Sequence, residues 1–192
     1  MKKKMWEIQF LSTPNVLRYC KKCGKKIIFT CSGQFRVNAQ RKCLDIWLIY
    51  KCSKCNATWN ATVYSRISPQ SLNSKILDGF YKNDKKLIEK YAMDSGFIQR
   101  NGAEIELPQY LIKGDSFSLN EEVELEIKSE HYLPIKISSL VREKFHISQK
   151  EYLQLISDGK IKGILNQDLQ KSKLKNDTIL IFNEKTMDKP TE

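Results

Sequence analysis

The sequence contains two Cys-x-x-Cys pairs, and their four thiols could bind a metal ion or undergo redox chemistry. Cys20 and Cys23 form the first pair, Cys52 and Cys55 form the second, and 28 residues separate the pairs. A gap of two residues lets one turn direct both sulfurs at the same ion, and zinc prefers four tetrahedral ligands of this kind. Gly24 follows the first pair, where a residue without a Cβ permits a tight turn. The pattern predicts one zinc ion held by the four cysteines.

A redox dithiol and a set of ordinary buried cysteines are the alternative interpretations. A redox pair would open a helix within a β-α-β unit, and no helical pattern follows either pair. Cys31 and Cys43 have no partner at metal spacing, so we expect them in the core. Four thiolates fill the coordination sphere of zinc and leave no position for a catalytic water. We therefore expect the metal to stabilise the fold rather than to catalyse a reaction.

Positive charge is concentrated in the first third of the chain. The 192 residues carry 33 lysine and arginine against 22 aspartate and glutamate side chains, a net charge of +11. Residues 1–67 carry +12, residues 68–133 carry −4 and residues 134–192 carry +3. A localised positive field attracts nucleic acid or an anionic membrane, and solubility is the alternative explanation. Basic and aromatic side chains alternate around the cysteine pairs, and the predicted phosphate contacts there are Lys21, Lys22 and Lys54.

Neither a membrane span nor an export signal is recognisable in the sequence. No run approaches the ~18 consecutive apolar residues that a membrane helix needs. The apolar stretch behind the N-terminal lysines is broken by Glu7, Gln9 and Pro14, which does not fit a signal peptide. In a chain without an export signal, cysteines are more often metal ligands than members of disulfides. We expect a cytoplasmic protein without a membrane partner.

We expect short strands on either side of the cysteine pairs. Strand-forming residues occupy 26–30, 35–38, 44–50 and 58–67, which predicts a small antiparallel sheet with the apolar run 44–50 as its central strand. After Pro69 the period becomes helical, and we expect two helices, the second capped by Asn83. The acidic run 121–128 alternates as a half-exposed strand does.

A second pattern of helices and strands begins near residue 135. Ser138 or Ser139 is expected to cap a short helix, and Ser148 with Glu151 forms a capping box for the next, which ends at Gly159. Strands are predicted at 160–164 and 178–182. The fold class is therefore α+β. The predicted divisions are a zinc-ribbon-like module at 1–67, a connector of helices and strands at 68–133, a small α+β module at 134–185 and a tail at 186–192.

The order of elements after residue 134 resembles the S4-type RNA-binding domain. The matching segments are 146–148, 155–161 and 173–179, although Gln149 stands where that family usually has an arginine. The resemblance implies two short helices that present basic residues to structured RNA. The candidate phosphate contacts are Arg142, Lys144, Lys150, Lys160, Lys162, Lys171 and Lys173.

Most of the chain is also similar to an uncharacterised bacterial family, domain of unknown function 1062. The similar segments are residues 17–24, 35–39, 45–52 and 100–103. This resemblance implies no activity, so the functional prediction depends on the residues themselves.

A non-enzymatic, zinc-containing nucleic-acid-binding protein is the function that these features predict, with structured RNA as the preferred partner and DNA as a further one. One alternative is a transcription regulator that binds duplex DNA, although no basic recognition helix follows the cysteines. Another is an adaptor that docks a protein partner through the acidic middle segment. An enzyme is disfavoured because neither His131 nor His146 lies beside a candidate nucleophile or a phosphate loop.

Overall fold

The chain is described by a computed structural model that covers residues 1–40, 42–164, 168–176 and 178–183. In chain order the strands are β1 (Lys2–Phe10), β2 (Asn15–Cys20), β3 (Lys25–Gln40), β4 (Cys43–Cys52), β5 (Thr58–Ile67), β6 (Glu104–Glu106), β7 (Tyr110–Gly114), β8 (Val123–Ser129), β9 (Ile161–Gly163) and β10 (Thr178–Phe182). The helices are α1 (Ser74–Lys82), α2 (Lys85–Ala92), α3 (Ser95–Arg100), α4 (Ile137–Phe145) and α5 (Gln149–Ser157).

Two units divide these elements between them, and each unit has its own five-stranded sheet. The first unit combines residues 1–11 with residues 109–192, and the second is the continuous segment 12–108. Mixed helices and sheets confirm the α+β class. The observed division differs from the predicted modules at 1–67, 68–133 and 134–185, and the predicted tail at 186–192 lies outside the described residues.

The sheet of the second unit is antiparallel throughout and runs in the order β5-β4-β3-β2-β6. One face packs into a core, to which β2 contributes Val16, β3 contributes Phe29 and β4 contributes Leu48. Helices α1 and α3 complete this core with Phe80 and Phe97. The alternation of buried and exposed side chains along these strands is the period of two that the sequence shows. The strand with the apolar run is β4, and it lies between β5 and β3.

Side-chain caps set the boundaries of the three helices of the second unit. Asn83 ends α1 in a left-handed conformation instead of capping α2, so the predicted cap was one residue early. Asp84 caps α2, where its carboxylate accepts a hydrogen bond from the Leu87 N–H at 2.9 Å. Helix α3 was not expected, because six residues are too few to show a helical period.

The sheet of the first unit runs in the order β7-β1-β8-β10-β9, with β1 parallel to β8. Trp6 of β1 has no exposed surface and lies in a core with side chains of α4 and α5 such as Leu140 and Tyr152. The capping box of Ser148 and Glu151 is confirmed. Helix α4 begins at Ile137 without a side-chain cap, so the predicted serine cap was wrong.

Candidate metal centre

Two turns with the same backbone geometry hold the four cysteines at one end of the second unit's sheet. Cys20 ends β2 and Cys52 ends β4, and each second cysteine lies in the turn that follows. The Gly24 N–H donates to the Cys20 carbonyl and the Asn56 N–H donates to the Cys52 carbonyl, both at 2.9 Å. Gly24 has φ +70° and Asn56 has φ 58°. Glycine and asparagine adopt this left-handed region most readily, which explains both residue types.

The four sulfurs lie close enough together to bind one ion. All four are within 4.8 Å of one another, the Cys20 and Cys55 Sγ atoms are 3.6 Å apart, and those of Cys23 and Cys52 are 3.9 Å apart. A tetrahedron with metal–sulfur bonds of about 2.3 Å has edges of about 3.8 Å. Among the described residues, this is the only group of three or more histidine, cysteine, aspartate or glutamate side chains placed to hold a metal. The predicted cluster is therefore present and could hold a metal ion.

The pKa values of two of the four clustered cysteines are shifted in opposite directions. Burial raises the pKa of Cys52, but the backbone N–H groups of Cys55 and Lys54 donate to its sulfur and bring its pKa down to about 6. The hydrogen bond with the Cys55 thiol and then burial raise the pKa of Cys23 to about 12. Four adjacent thiolates repel one another, so they are stable together only around a positive ion.

Arg18 supports the metal end of the sheet. Its guanidinium carbon lies 4.5 Å from the centre of the Trp59 ring, and its Nη1 donates to the carbonyls of Asn101 at 2.7 Å and Gly102 at 3.0 Å. Burial lowers the pKa of Arg18. Arg18 thus connects β2 to β5 and to the end of α3. No sequence pattern indicates this role, since charge alone does not distinguish a packed arginine from an exposed one.

Cys31 and Cys43 lie outside the four-sulfur cluster. Cys31 is half-buried against the core of the second unit, and burial raises the pKa of its thiol. Cys43 is half-buried at the start of β4.

The basic residues predicted to contact nucleic acid fall into two groups, one in each unit. Lys21, Lys22 and Lys54 lie in the two cysteine turns and are exposed. The other seven belong to the first unit. Arg142 and Lys144 are in the last turn of α4, and Lys144 donates to the Ile112 carbonyl at 3.1 Å. The exposed members of this second group are Lys150, Lys171 and Lys173, and the half-buried members are Arg142, Lys144, Lys160 and Lys162.

Net charge is distributed very unequally between the two units. The second unit has 17 lysine and arginine against seven aspartate and glutamate residues, a net +10. The first unit has 16 against 15, a net +1. The unit with the four cysteines therefore carries nearly all of the positive charge of the chain.

The helices of the described residues are all too short or too polar to cross a membrane. Comparison with known proteins gives a match to one family model. That model describes a protein of unknown function (DUF1062) and covers residues 37–167, more than half of the chain. No curated protein and no solved structure matches the chain. The chain belongs to the DUF1062 family.

Proposed function

We propose that this protein is a non-enzymatic nucleic-acid-binding protein with a structural zinc ion, and that RNA is its ligand. The observation that carries the proposal is the net charge of +10 on the unit that contains the four cysteines. Lys21, Lys22 and Lys54 have no carboxylate of a described residue within 4.0 Å of their ammonium groups. Exposed lysines without acidic partners are suited to phosphate contacts, which dominate nucleic-acid affinity.

Zinc is the metal that the four-cysteine cluster fits best. A tetrahedral set of four thiolates binds zinc or iron, and two cysteine turns at strand ends are typical of zinc-ribbon modules. A full coordination sphere leaves the ion no catalytic position, which supports a structural role. We expect one zinc ion per chain by metal analysis, and loss of the second unit's strand signal in circular dichroism on strong chelation. Metal-free protein with an unchanged spectrum would contradict this role.

The resemblance of residues 134–185 to the S4-type domain favours RNA over DNA as the ligand. Helices α4 and α5 precede β9 and β10 in the order expected from that resemblance, and β9 pairs antiparallel with β10. Lys150, Lys171 and Lys173 are exposed on this part of the chain. Such modules recognise RNA by its shape and backbone.

The test is binding of the zinc-loaded protein to a structured RNA across a salt series, with duplex DNA and heparin as competitors. We expect affinity to fall steeply with salt and RNA to be preferred over both competitors. A variant with Lys21→Gln, Lys22→Gln and Lys54→Gln should lose affinity and flatten the salt dependence, by about 0.7 to 0.9 in logarithmic slope for each lost contact.

A matched control removes charge from another surface of the same unit. Lys85 and Lys86 are exposed in the first turn of α2. The double variant Lys85→Gln and Lys86→Gln removes two positive charges. Because these lysines lie outside the cysteine turns, the loss of affinity for each charge removed should be smaller than in the triple variant. A defined nucleic-acid site at the cysteine turns would be refuted if RNA bound no more tightly than heparin. It would also be refuted if the triple and the double variant lost the same affinity for each charge removed. Stoichiometric capture of a protein without RNA would favour the adaptor alternative.

A further inference from the structure

The face of the second unit's sheet that points away from its core carries two pairs of an aromatic and a basic residue. Tyr19 of β2 lies directly opposite Lys26 of β3. Trp47 of β4 lies directly opposite Arg36, also of β3. Side chains of such cross-strand pairs are neighbours, with Cβ atoms about 5 Å apart.

The strand register places both pairs on one face. Lys51 and Trp47 are four residues apart on β4, and Lys51 lies opposite Thr30 of β3. Thr30 is in turn four residues from Lys26. Residues separated by an even number share a face of a strand, and partners across strands share it too. The outer face includes Tyr19, Lys26, Thr30, Arg36, Trp47 and Lys51, and also Ile49 between the last two.

The outer face is exposed at Tyr19, Arg36 and Lys51, whereas Ile49, which also lies on it, is only 6% exposed. Tyr19 is 57% exposed, which is a large apolar surface to leave in water on a strand. Arg36 and Lys51 are exposed and have no carboxylate of a described residue within 4.0 Å, while Lys26 is paired with Glu104 at 2.7 Å. Trp47 is half-buried. The Asp45 carboxylate, two residues beyond Trp47, accepts hydrogen bonds from Ser65 and from the Arg66 N–H.

Tyr19 is held by backbone pairing rather than by side-chain packing. It lies on β2, which pairs with β3 from Val16 to Cys20, and the next residue is the first cysteine of the metal centre. A ring on such a fixed strand loses little conformational freedom when a flat ligand stacks on it. Aromatic rings on a rigid sheet, with cations beside them, are how many proteins bind unpaired bases.

We propose that this outer face binds unpaired nucleotides, with bases stacked on Tyr19 and Trp47 and phosphates at Lys51 and Arg36. The inference rests on the proposed nucleic-acid function and names the part of the ligand that this surface recognises. Each step of four residues along a strand covers about 13 Å, so the face offers room for several nucleotides. A duplex does not fit this role, because its bases are stacked on one another and cannot cover the rings. A loop of a structured RNA and a free single strand present the same chemistry.

The experiment compares two exposed tyrosines of the second unit. Tyr19 is 57% exposed and Tyr81 of α1 is 55% exposed, so both substitutions to alanine remove similar rings without a change of charge. The zinc-loaded full-length variants are titrated with an unstructured RNA of about 12 nucleotides, its DNA counterpart and a blunt RNA duplex. Tyr19→Ala should weaken single-strand binding by about 5-fold to 100-fold, the loss of one stacked base. Tyr81→Ala should leave it unchanged, and Tyr19→Phe, which keeps the ring, should retain most of it.

Comparison of the wild-type protein with the tyrosine variants distinguishes failure of the stacking role from failure of the proposed function. If Tyr19→Ala and Tyr81→Ala bind the single strands equally well, the stacking role is wrong, while RNA binding itself stands. If the wild-type protein binds none of the three ligands, both are wrong. Duplex binding that falls as much as single-strand binding in Tyr19→Ala also overturns the inference. Zinc content and thermal unfolding show that each variant is folded, and the comparison of RNA with DNA shows which strand is preferred.

Discussion

Arg18 shows how little a charge in the sequence says about its use. It stands among the lysines of the first cysteine turn, yet its guanidinium stacks on Trp59 and binds the carbonyls that end α3. Lys21 and Lys22, only a few residues away, are exposed. An arginine fork can satisfy two carbonyls and cover a ring at once, which a lysine cannot do. The positive charges near the metal centre therefore divide into structural and accessible ones.

Gly24 has a left-handed backbone conformation in the first cysteine turn. Its φ is +70°, and a Cβ built there meets no atom within 4 Å. The cost of Gly24→Ala should therefore come from backbone strain alone, about 1 to 2 kcal/mol. This strain lies in the turn that positions Cys20 and Cys23. We expect a lower free energy of unfolding and weaker zinc binding, measured by urea titration and by competition with a chelator.

Gly33 is the matched control. It has φ +69° and equally open space around its Cβ position, but it lies in the irregular part of β3 between Cys31 and Phe35. Gly33→Ala should destabilise by a similar amount and leave the intrinsic zinc affinity unchanged. Equal effects of both substitutions on zinc affinity would show that the cysteine turn has no special requirement at Gly24.

The residues of the metal centre were predictable because their signal is local. Two-residue gaps between cysteines state the geometry of each turn, and the cluster of four sulfurs confirms it. Asn56 was missed, although its position after the second pair is equivalent to that of Gly24 and asparagine tolerates the left-handed region. The hydrogen bonds of Arg18 could not be predicted, since the carbonyls that accept them lie more than 80 residues away along the chain.

At the scale of elements, Asn101 closes an edge of the second unit's sheet. β5 is an edge strand, and the Asn101 side chain pairs with Thr62 as a neighbouring strand would. Its Oδ1 accepts from the Thr62 N–H at 2.6 Å, and its Nδ2 donates to the Thr62 carbonyl at 3.2 Å and to the Phe97 carbonyl at 3.0 Å. One amide thus joins α3 to β5 and covers backbone groups that an open edge would expose.

Asn101→Ala should lower the free energy of unfolding by about 1 to 3 kcal/mol, because it leaves several backbone groups without their partners. Asn15→Ala is the comparison, since the Asn15 amide makes one exposed hydrogen bond, to Glu106 at 3.3 Å. That change should stay within about 0.5 kcal/mol. Urea unfolding of both variants measures the difference. If Asn101→Ala lowers the free energy of unfolding no more than Asn15→Ala does, the hydrogen bonds of the Asn101 side chain contribute nothing to stability.

The elements themselves were predictable to the extent that their patterns are local. Strands β3, β4 and β5 and the capping box of α5 follow from alternation and from residue types at fixed offsets, whereas β2 was not predicted. β1 was not predicted as a strand, although residues 2–10 pair along their length with β7 and β8. Its partners are 100 residues or more away, and pairing at that distance leaves no trace in a short window of sequence.

At the scale of the molecule, this pairing of β1 explains why the observed units differ from the predicted modules. β1 is the second strand of the first unit's sheet, between β7 and β8, and it contributes the buried Trp6 and Ile8. The chain then leaves this unit, forms the whole of the second unit and returns at residue 109. A continuous segment is thereby inserted into a discontinuous one.

Residues 12–108 should fold independently when zinc is present, because their sheet, helices and four cysteines are complete within the segment. Residues 109–192 should not fold alone, because β8 lacks its parallel partner and the core lacks Trp6 and Ile8. Loss of a buried tryptophan alone costs about 3 to 5 kcal/mol, which is a large part of the stability of a small domain. Circular dichroism and amide NMR dispersion of the two fragments measure the outcome.

A circular permutant supplies the control. Joining residue 192 through a flexible linker to residues 1–11 returns β1 to residues 109–192 without the second unit. This chain should melt cooperatively and show dispersed amide signals, while residues 109–192 alone should not. A cooperative melt of the fragment without β1 would show that the sheet does not depend on that strand. Failure of residues 12–108 to fold with zinc would show that the second unit needs the rest of the chain, and its basic surface would then have to be studied only in the full-length protein.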